Sequence, residues 1–90
     1  MTHRIALIDD SSVMRSILRK TIVAAQVSEA DVVEATNGRE GYELIKSNTG
    51  ELCLAFVDLH MPEMGGLDML KALHEEGLTD FPIVVVSAEE

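Results

Sequence analysis

The chain contains no tryptophan, only three aromatic side chains and a single cysteine. With so few aromatic residues, the core has to be built from Ile, Leu, Val, Met and Ala. A single cysteine excludes an internal disulfide and a paired-cysteine metal site. Cys53 stands within an apolar run, and we therefore expect its thiol to be buried and unreactive.

Positive charge is also scarce, with 7 Lys and Arg against 16 Asp and Glu and a formal net charge of −9. This balance argues against direct binding of nucleic acid, which needs clustered Lys and Arg. No apolar segment is long enough to span a membrane, and the N-terminus lacks the features of a signal peptide. We expect one cytoplasmic domain over residues 1–90, with neither nucleic acid nor membrane as a partner.

Four short apolar runs have the composition of buried strands, and they cover residues 4–8, 31–35, 52–59 and 83–88. Three segments with helical periodicity separate them, at residues 11–25, 39–48 and 67–77. This alternation of strands and helices predicts an α/β fold with a parallel sheet and right-handed crossovers.

The first helix is expected to begin after Ser11 or Ser12, because either hydroxyl can cap it. Its apolar face is predicted to contain Val13, Ile17 and Ile22, with Met14 and Leu18 beside them. The cations of this helix are expected largely on the other side, at Arg15, Arg19 and Lys20.

The third helix is predicted to have an inward stripe formed by Leu67, Leu70 and Leu73. Gly77 follows as a natural residue to end that helix. In the loop before the helix, Met61 and Met64 are expected to pack rather than to bind metal, since thioethers prefer softer metals.

Polar side chains stand where three of the predicted strands end. Asp9 and Asp10 follow the first strand, Asp58 follows the third, and Ser87 closes the fourth. Ligands of open parallel sheets bind outside the carboxyl ends of the strands, so neighbouring first and third strands would bring the three acids together. Such a cluster either retains a proton or binds a cation, and hard oxygen ligands suit Mg²⁺. The alternative is that these acids are solvated and have no function.

Asp58 is a candidate nucleophile. Phosphatases of the haloacid-dehalogenase type have a second acid two residues after the nucleophilic Asp, whereas here His60 holds that position. The sequence also lacks a G-x-S-x-G elbow and a glycine-rich phosphate loop. The pattern favours a phosphate acceptor over a turnover enzyme, with a Mg²⁺-dependent phosphatase as an alternative.

Three motifs carry a family resemblance: "IDDS" after the first strand, "VDLHMPEMGG" after the third, and "VVSA" at the end of the fourth. With these motifs the chain resembles a response-regulator receiver domain of two-component signalling, and most of all the chemotaxis-type single-domain receivers. The resemblance implies a flavodoxin-like, three-layer α/β sandwich. It also implies that the chain is a phosphoacceptor and not an enzyme. At most it would phosphorylate itself from small phosphodonors and slowly remove its own phosphoryl group.

The resemblance implies the following residue roles. Asp58 would receive the phosphoryl group of a histidine kinase or histidine phosphotransfer protein. Asp10, Asp58 and the backbone carbonyl of His60 would bind Mg²⁺, and Asp9 would orient that metal shell. Ser87 would hydrogen-bond the phosphoryl oxygens. The His60 imidazole has a second possible role, as a group that reaches the phosphoryl group and changes the rate of dephosphorylation.

The resemblance also places partner docking on the first helix, at Met14, Arg15 and Arg19. The alternative for the two arginines is an ordinary solvated face.

One departure from the family pattern lies at the end of the chain. The family has five strands in the order 2-1-3-4-5, whereas this sequence supplies four, in the order 2-1-3-4, and three helices. The last strand, two helices and the family's essential lysine are missing. We therefore expect impaired phosphotransfer, an exposed edge at residues 83–86 and self-association through that edge. The alternative function is a non-phosphorylatable, self-associating structural or interaction module.

Overall fold

A computed structural model of the chain describes residues 4–86. Four strands alternate with three α-helices, as the sequence predicted. In chain order they are β1 (Arg4–Ile8), α1 (Ser12–Ala24), β2 (Val32–Ala35), α2 (Gly38–Ser47), β3 (Leu52–Val57), α3 (Gly66–Glu75) and β4 (Ile83–Val85). A short 3-10 turn over Glu29–Asp31 precedes β2.

All strand pairs are parallel, and the order in the sheet is β2-β1-β3-β4. The predicted strand order is therefore confirmed. This order makes β1 and β3 the two central strands, so that residues directly after Ile8 and Val57 share one edge of the sheet.

Helices cover the sheet on both faces and form two apolar clusters. The larger cluster lies under α2 and α3 and includes Ile8, Ile45, Val57, Met69 and Leu73, all at most 1% exposed. The smaller cluster lies under α1 and consists of Ile5, Leu7, Ile22 and Val32. Burial of each large aliphatic side chain contributes about 1.5–3 kcal/mol to the free energy of unfolding.

Helix α1 begins at the predicted cap, because the Ser11 hydroxyl accepts a hydrogen bond from the Met14 amide. The prediction of its inward face was partly wrong. Ile22 is buried, but Val13 and Ile17 are 68% and 53% exposed. The side chains turned toward the sheet follow helical spacing and are those of Arg15, Leu18, Arg19 and Ile22. Both arginines lie on this face because a carboxylate of β2 pairs with them, as described below.

Helix α3 ends as predicted, and two of the three leucines predicted to face inward do so, since Leu73 is fully buried and Leu70 packs against the larger cluster. Gly77 has a positive φ of 72°, and the Leu78 amide donates to the Leu73 carbonyl, which completes a Schellman motif. The predicted inward position of Leu67 is wrong, since this side chain is 57% exposed. The buried residues of the helix are Gly66, Met69 and Leu73, and Met61 and Met64 pack against the same cluster as expected.

Cys53 is exposed, so the expectation of a buried thiol is wrong. The cause is an irregularity in β3: Arg4 pairs with Leu52 and the next residue, Ile5, pairs with Leu54. Cys53 is the extra residue of this bulge and has no partner position on β1. The apolar run itself gave no sign of the interruption.

Strand β4 covers Ile83–Val85 of the predicted 83–88 run, whose last two residues lie outside the described residues, and it pairs with Ala55–Val57 of β3. Among the described residues β4 is the last strand of the sheet and pairs with β3 alone, which agrees with the expected exposed edge. Val84 and Val85 are 41% and 51% exposed. Ser87, the predicted phosphoryl-binding hydroxyl, lies outside the described residues. No helix within residues 4–86 is long and apolar enough to cross a membrane.

Candidate phosphoryl and metal site

Three carboxylates meet at the carboxyl edge of the two central strands. Asp9 and Asp10 directly follow β1, and Asp58 directly follows β3. Each offers an oxygen atom within 4.8 Å of the others. Asp9 and Asp58 are buried, at 5% and 6% exposed, whereas Asp10 is exposed. The structure thus brings together the three acids that the sequence singled out.

Sheet hydrogen bonds fix the backbone of both buried acids. The Asp9 amide donates to the Ala35 carbonyl at 3.1 Å, and the Asp58 amide donates to the Ile8 carbonyl at 2.9 Å. Each carboxylate is oriented by the backbone amide of the residue two positions later in the chain. Ser11 donates to Oδ1 of Asp9 at 2.8 Å, and His60 donates to Oδ1 of Asp58 at 3.0 Å.

Burial raises the pKa of Asp9 above its ordinary value, and the negative charges of Asp58 and Asp10 raise it further. The hydrogen bond from the Ser11 amide opposes this rise without cancelling it. Among residues 4–86, no Lys, Arg or His forms an ion pair with any of the three acids. The cluster therefore holds negative charge that its described neighbours do not neutralise.

A cavity of about 200 Å³ opens above the acids. Its lining residues are Asp9, Asp10, Ser11, Met14, Asp58, His60 and Val86. Converging carboxylate oxygens beside an open space form a hard donor set that fits a Mg²⁺ ion, which retains several waters. The acids would hold the ion, and the remaining volume would admit a small anion against it.

Two glycines hold the loop after Asp58 in place, and the sequence analysis did not single them out for this. A Cβ atom on Gly66 would overlap the Asp58 carbonyl oxygen, so only glycine allows α3 to begin this close to the acid. A Cβ atom on Gly38 would likewise overlap the Met64 carbonyl oxygen, which accepts a hydrogen bond from the Gly38 amide.

The two arginines predicted for docking make internal ion pairs with Glu34 of β2. Arg15 Nε lies 2.7 Å from Oε1 of Glu34, and Arg19 Nη2 lies 2.6 Å from Oε2. Burial alone would raise the pKa of Glu34, but hydrogen bonds and charge from the two arginines outweigh it and hold the pKa below its ordinary value. Met14, the third docking candidate, lines the cavity.

Sequence reasoning missed Glu34. The signal that points to it is the combination of two arginines at i and i+4 with one acid inside an otherwise apolar strand. Glu34 pairs in register with Leu7, whose side chain belongs to the α1 face of the sheet. The acid therefore stands on the same face of the sheet as α1.

Comparison with known proteins agrees with the resemblance to receiver domains that the sequence motifs carry. The family model of the response regulator receiver domain matches residues 5–90. A chemotaxis protein CheY homolog from Campylobacter jejuni is 34% identical over 87 residues, which make up 96% of this chain and 65% of that protein. The chain thus spans less than two thirds of that relative's length.

Solved structures share the fold. A chain of the CheX–CheY–BeF3–Mg²⁺ complex from Borrelia burgdorferi superposes with a TM-score of 0.86 at 19% identity, covering 98% of this chain and 63% of that one. The response regulator TrrA from Thermotoga maritima, in complex with Mg²⁺–BeF, has a TM-score of 0.82 at 23% identity, covering 100% and 72%. At these identities the likeness establishes the architecture alone.

Proposed function

This chain belongs to the response regulator receiver domain family, and on that premise we propose that Asp58 accepts a phosphoryl group in a Mg²⁺-dependent reaction. The donor is a histidine kinase or a histidine phosphotransfer protein of a two-component system. The observation that carries the proposal is the convergence of the Asp9, Asp10 and Asp58 carboxylates within 4.8 Å below an open cavity. The two structural neighbours, solved with magnesium and beryllium fluoride, support it by analogy.

The chemistry is an in-line transfer. The free carboxylate oxygen of Asp58 attacks phosphorus while the bond from phosphorus to the donor imidazole nitrogen breaks, and that nitrogen keeps the electron pair. The hydrogen bond from the His60 amide holds the other carboxylate oxygen and so fixes the direction of attack. Bound Mg²⁺ would supply positive charge against the phosphoryl oxygens.

The remaining assignments follow the same proposal. Asp10 and Asp58, with the backbone carbonyl of His60, would hold the ion, and Asp9 would orient that shell. Ser87 would hydrogen-bond the transferred phosphoryl group. The donor would dock at the start of α1, where Met14 lines the cavity and Val13 and Ile17 are exposed. Arg15 and Arg19 would contribute only what their ion pairs with Glu34 leave exposed.

Mass spectrometry after incubation with acetyl phosphate and Mg²⁺ tests the proposal. We expect one added phosphoryl group on the unsubstituted chain and on Asp80→Asn, an exposed-acid control of equal charge. The adduct should be lost in Asp58→Asn and when Mg²⁺ is chelated. A folded chain that gains no adduct, or an adduct that persists in Asp58→Asn, would contradict the proposal. Steady release of phosphate from a phosphomonoester would instead indicate a phosphatase.

A second candidate function is a self-associating interaction module that is not phosphorylated. It is favoured by β4, where Val84 and Val85 are exposed and where the described residues provide no second neighbouring strand. An exposed β-branched edge is a template for pairing with another chain. Sedimentation at micromolar concentration should then detect a dimer that Val84→Lys disrupts, whereas a stable monomer would exclude this function.

A further inference from the structure

Arg15 makes two contacts with different parts of the molecule. Its Nε atom donates to Oε1 of Glu34 at 2.7 Å, and its Nη1 atom donates to the backbone carbonyl of Asp9 at 2.5 Å. The Arg15 side chain is only 15% exposed, whereas its partner Glu34 is 29% exposed. A single guanidinium group therefore connects β2 to the first residue of the acidic cluster.

The Asp9 carbonyl belongs to the peptide group that joins Asp9 to Asp10. Because this group is planar, a hydrogen bond to its oxygen fixes the direction in which the chain continues into Asp10. The preceding amide is already held, since Asp9 donates to the Ala35 carbonyl at 3.1 Å. Arg15 thus restrains the chain where it leaves β1 for the exposed Asp10.

Arg19 provides an internal comparison. It binds the same Glu34 carboxylate, with Nε donating to Oε2 at 2.7 Å. Its other hydrogen bonds go to the carbonyls of Glu29 and Val32, both at 3.3 Å and both away from the acidic cluster. The two arginines therefore share a partner and a helix, but only Arg15 touches the backbone of the site.

From this difference we infer that Arg15 is a positioning residue that sets the metal affinity of the acidic cluster through the Asp9–Asp10 peptide. Glu34 holds the guanidinium in place, and Arg15 acts on the site without touching the ion. Groups outside the ligand shell commonly change metal affinity by about 10–100-fold. Because Arg15 acts through the backbone, we expect its loss to weaken Mg²⁺ binding by about three- to tenfold. The inference rests on the Mg²⁺ site of the proposed function.

A lysine at this position cannot replace the arginine. The guanidinium presents separate N–H donors in a rigid fork, and here two of them serve Glu34 and Asp9 at once. An ammonium group on Arg15→Lys can keep the ion pair with Glu34 but not both contacts. This substitution therefore separates the ion pair from the hydrogen bond to the Asp9 carbonyl.

The test compares the full chain with Arg15→Gln, Arg15→Lys and the matched control Arg19→Gln. Mg²⁺ affinity is measured by calorimetric titration, and thermal unfolding reports the stability of each variant. A second measurement needs no metal: the nuclear magnetic resonance signal of the Asp10 amide. That amide shares its peptide group with the Asp9 carbonyl and should shift when the carbonyl loses its hydrogen bond.

We expect both Arg15 variants to bind Mg²⁺ about three- to tenfold more weakly and to shift the Asp10 amide signal. Arg19→Gln should stay within about twofold and leave that signal in place, with a loss of stability similar to that of Arg15→Gln. If Arg15→Gln fails to fold, Arg15→Lys decides the comparison in the same way.

Equal Mg²⁺ affinity in the Arg15 and Arg19 variants would overturn the inference while leaving the proposed function intact. An unsubstituted chain that binds no Mg²⁺ would contradict the metal site of the proposed function and this inference with it. The metal-free Asp10 signal would still show whether Arg15 holds the peptide, so the two failures are distinguishable.

Discussion

The amide of Gly38 donates a hydrogen bond to the carbonyl oxygen of Met64 at 2.9 Å, and this contact joins the start of α2 to the loop that follows Asp58. The two backbones approach so closely that a Cβ atom on Gly38 would overlap this oxygen and lie 2.8 Å from the Cβ atom of Met64. Helix α2, which contributes no residue to the cavity, thus holds the loop that carries His60.

Gly38→Ala should therefore destabilise the protein. Because the obstructing atoms are backbone, relief requires the loop or the helix to move, and overpacking of this kind costs about 1–3 kcal/mol. Urea unfolding measures the loss. Arg39→Ala, at the next and exposed position of the same helix, should change stability by less than about 0.5 kcal/mol. Equal effects of the two substitutions would mean that the close contact is unimportant.

Asp9→Asn should stabilise the metal-free protein at neutral pH. Burial and neighbouring charges raise the folded-state pKa of Asp9 above its unfolded value, so the folded state favours the protonated acid. The resulting penalty is absent below the unfolded pKa and grows as pH rises through the folded pKa. The melting temperature of Asp9→Asn should therefore exceed that of the parent at pH 7, and the difference should vanish in acid.

Asp80→Asn is the matched control, since Asp80 is an exposed acid and its loss changes the net charge equally. Mg²⁺ should raise the melting temperature of the parent more than that of Asp9→Asn. If the parent and the Asp9→Asn variant had the same pH dependence of stability, burial and the neighbouring carboxylates would not penalise ionised Asp9 in the folded state.

Glu34→Gln should have the opposite pH dependence. The folded-state pKa of Glu34 is lowered, since the two arginines outweigh the effect of burial. The ionised Glu34 thus contributes stability that is present above its unfolded pKa and lost as pH falls through the folded pKa. We expect Glu34→Gln to lose about 1 kcal/mol at pH 7, because the pair is partly exposed. Thermal unfolding between pH 3 and 7 measures this, with exposed Glu75→Gln as the control.

Leu73→Ala and Leu67→Ala test which side of α3 is buried. Leu73 is fully buried, and its truncation should cost about 2–5 kcal/mol in the free energy of unfolding. Leu67 is 57% exposed, and its truncation should lower the free energy of unfolding by less than about 1 kcal/mol. Both substitutions introduce alanine into the same helix, so helix propensity cancels. Comparable losses of stability in the two variants would show that Leu67 faces the core, as the sequence predicted.

The acids of the candidate site could be found from the sequence because their placement depends on local pattern and one topological rule. Apolar runs end at Ile8 and Val57, and acids follow each. Parallel strands bring their carboxyl ends to one edge of the sheet, so neighbouring strands bring the acids together. The alternation of strands and helices and the cap at Ser11 follow from similarly short-range signals, whereas the order of the strands in the sheet follows from the resemblance to receiver domains.

What the sequence could not give were features that depend on a distant partner. Helical periodicity allows α1 more than one inward face, and Glu34, 15 residues beyond Arg19, decides in favour of the arginines. The bulge that exposes Cys53 arises from its pairing with β1. The need for glycine at positions 38 and 66 arises from backbone that approaches from another loop.

The sequence by itself thus determined the alternation of strands and helices and the acids at the strand ends, because hydrophobic period and strand ends are properties of neighbouring residues. The family motifs in the sequence supplied the order of the strands, and with it the expected meeting of the acids. Only the tertiary structure decided that Arg15 reaches inward to the Asp9 carbonyl. That contact requires a helix, a strand end and an acid on a second strand to meet, and no local pattern specifies such a meeting.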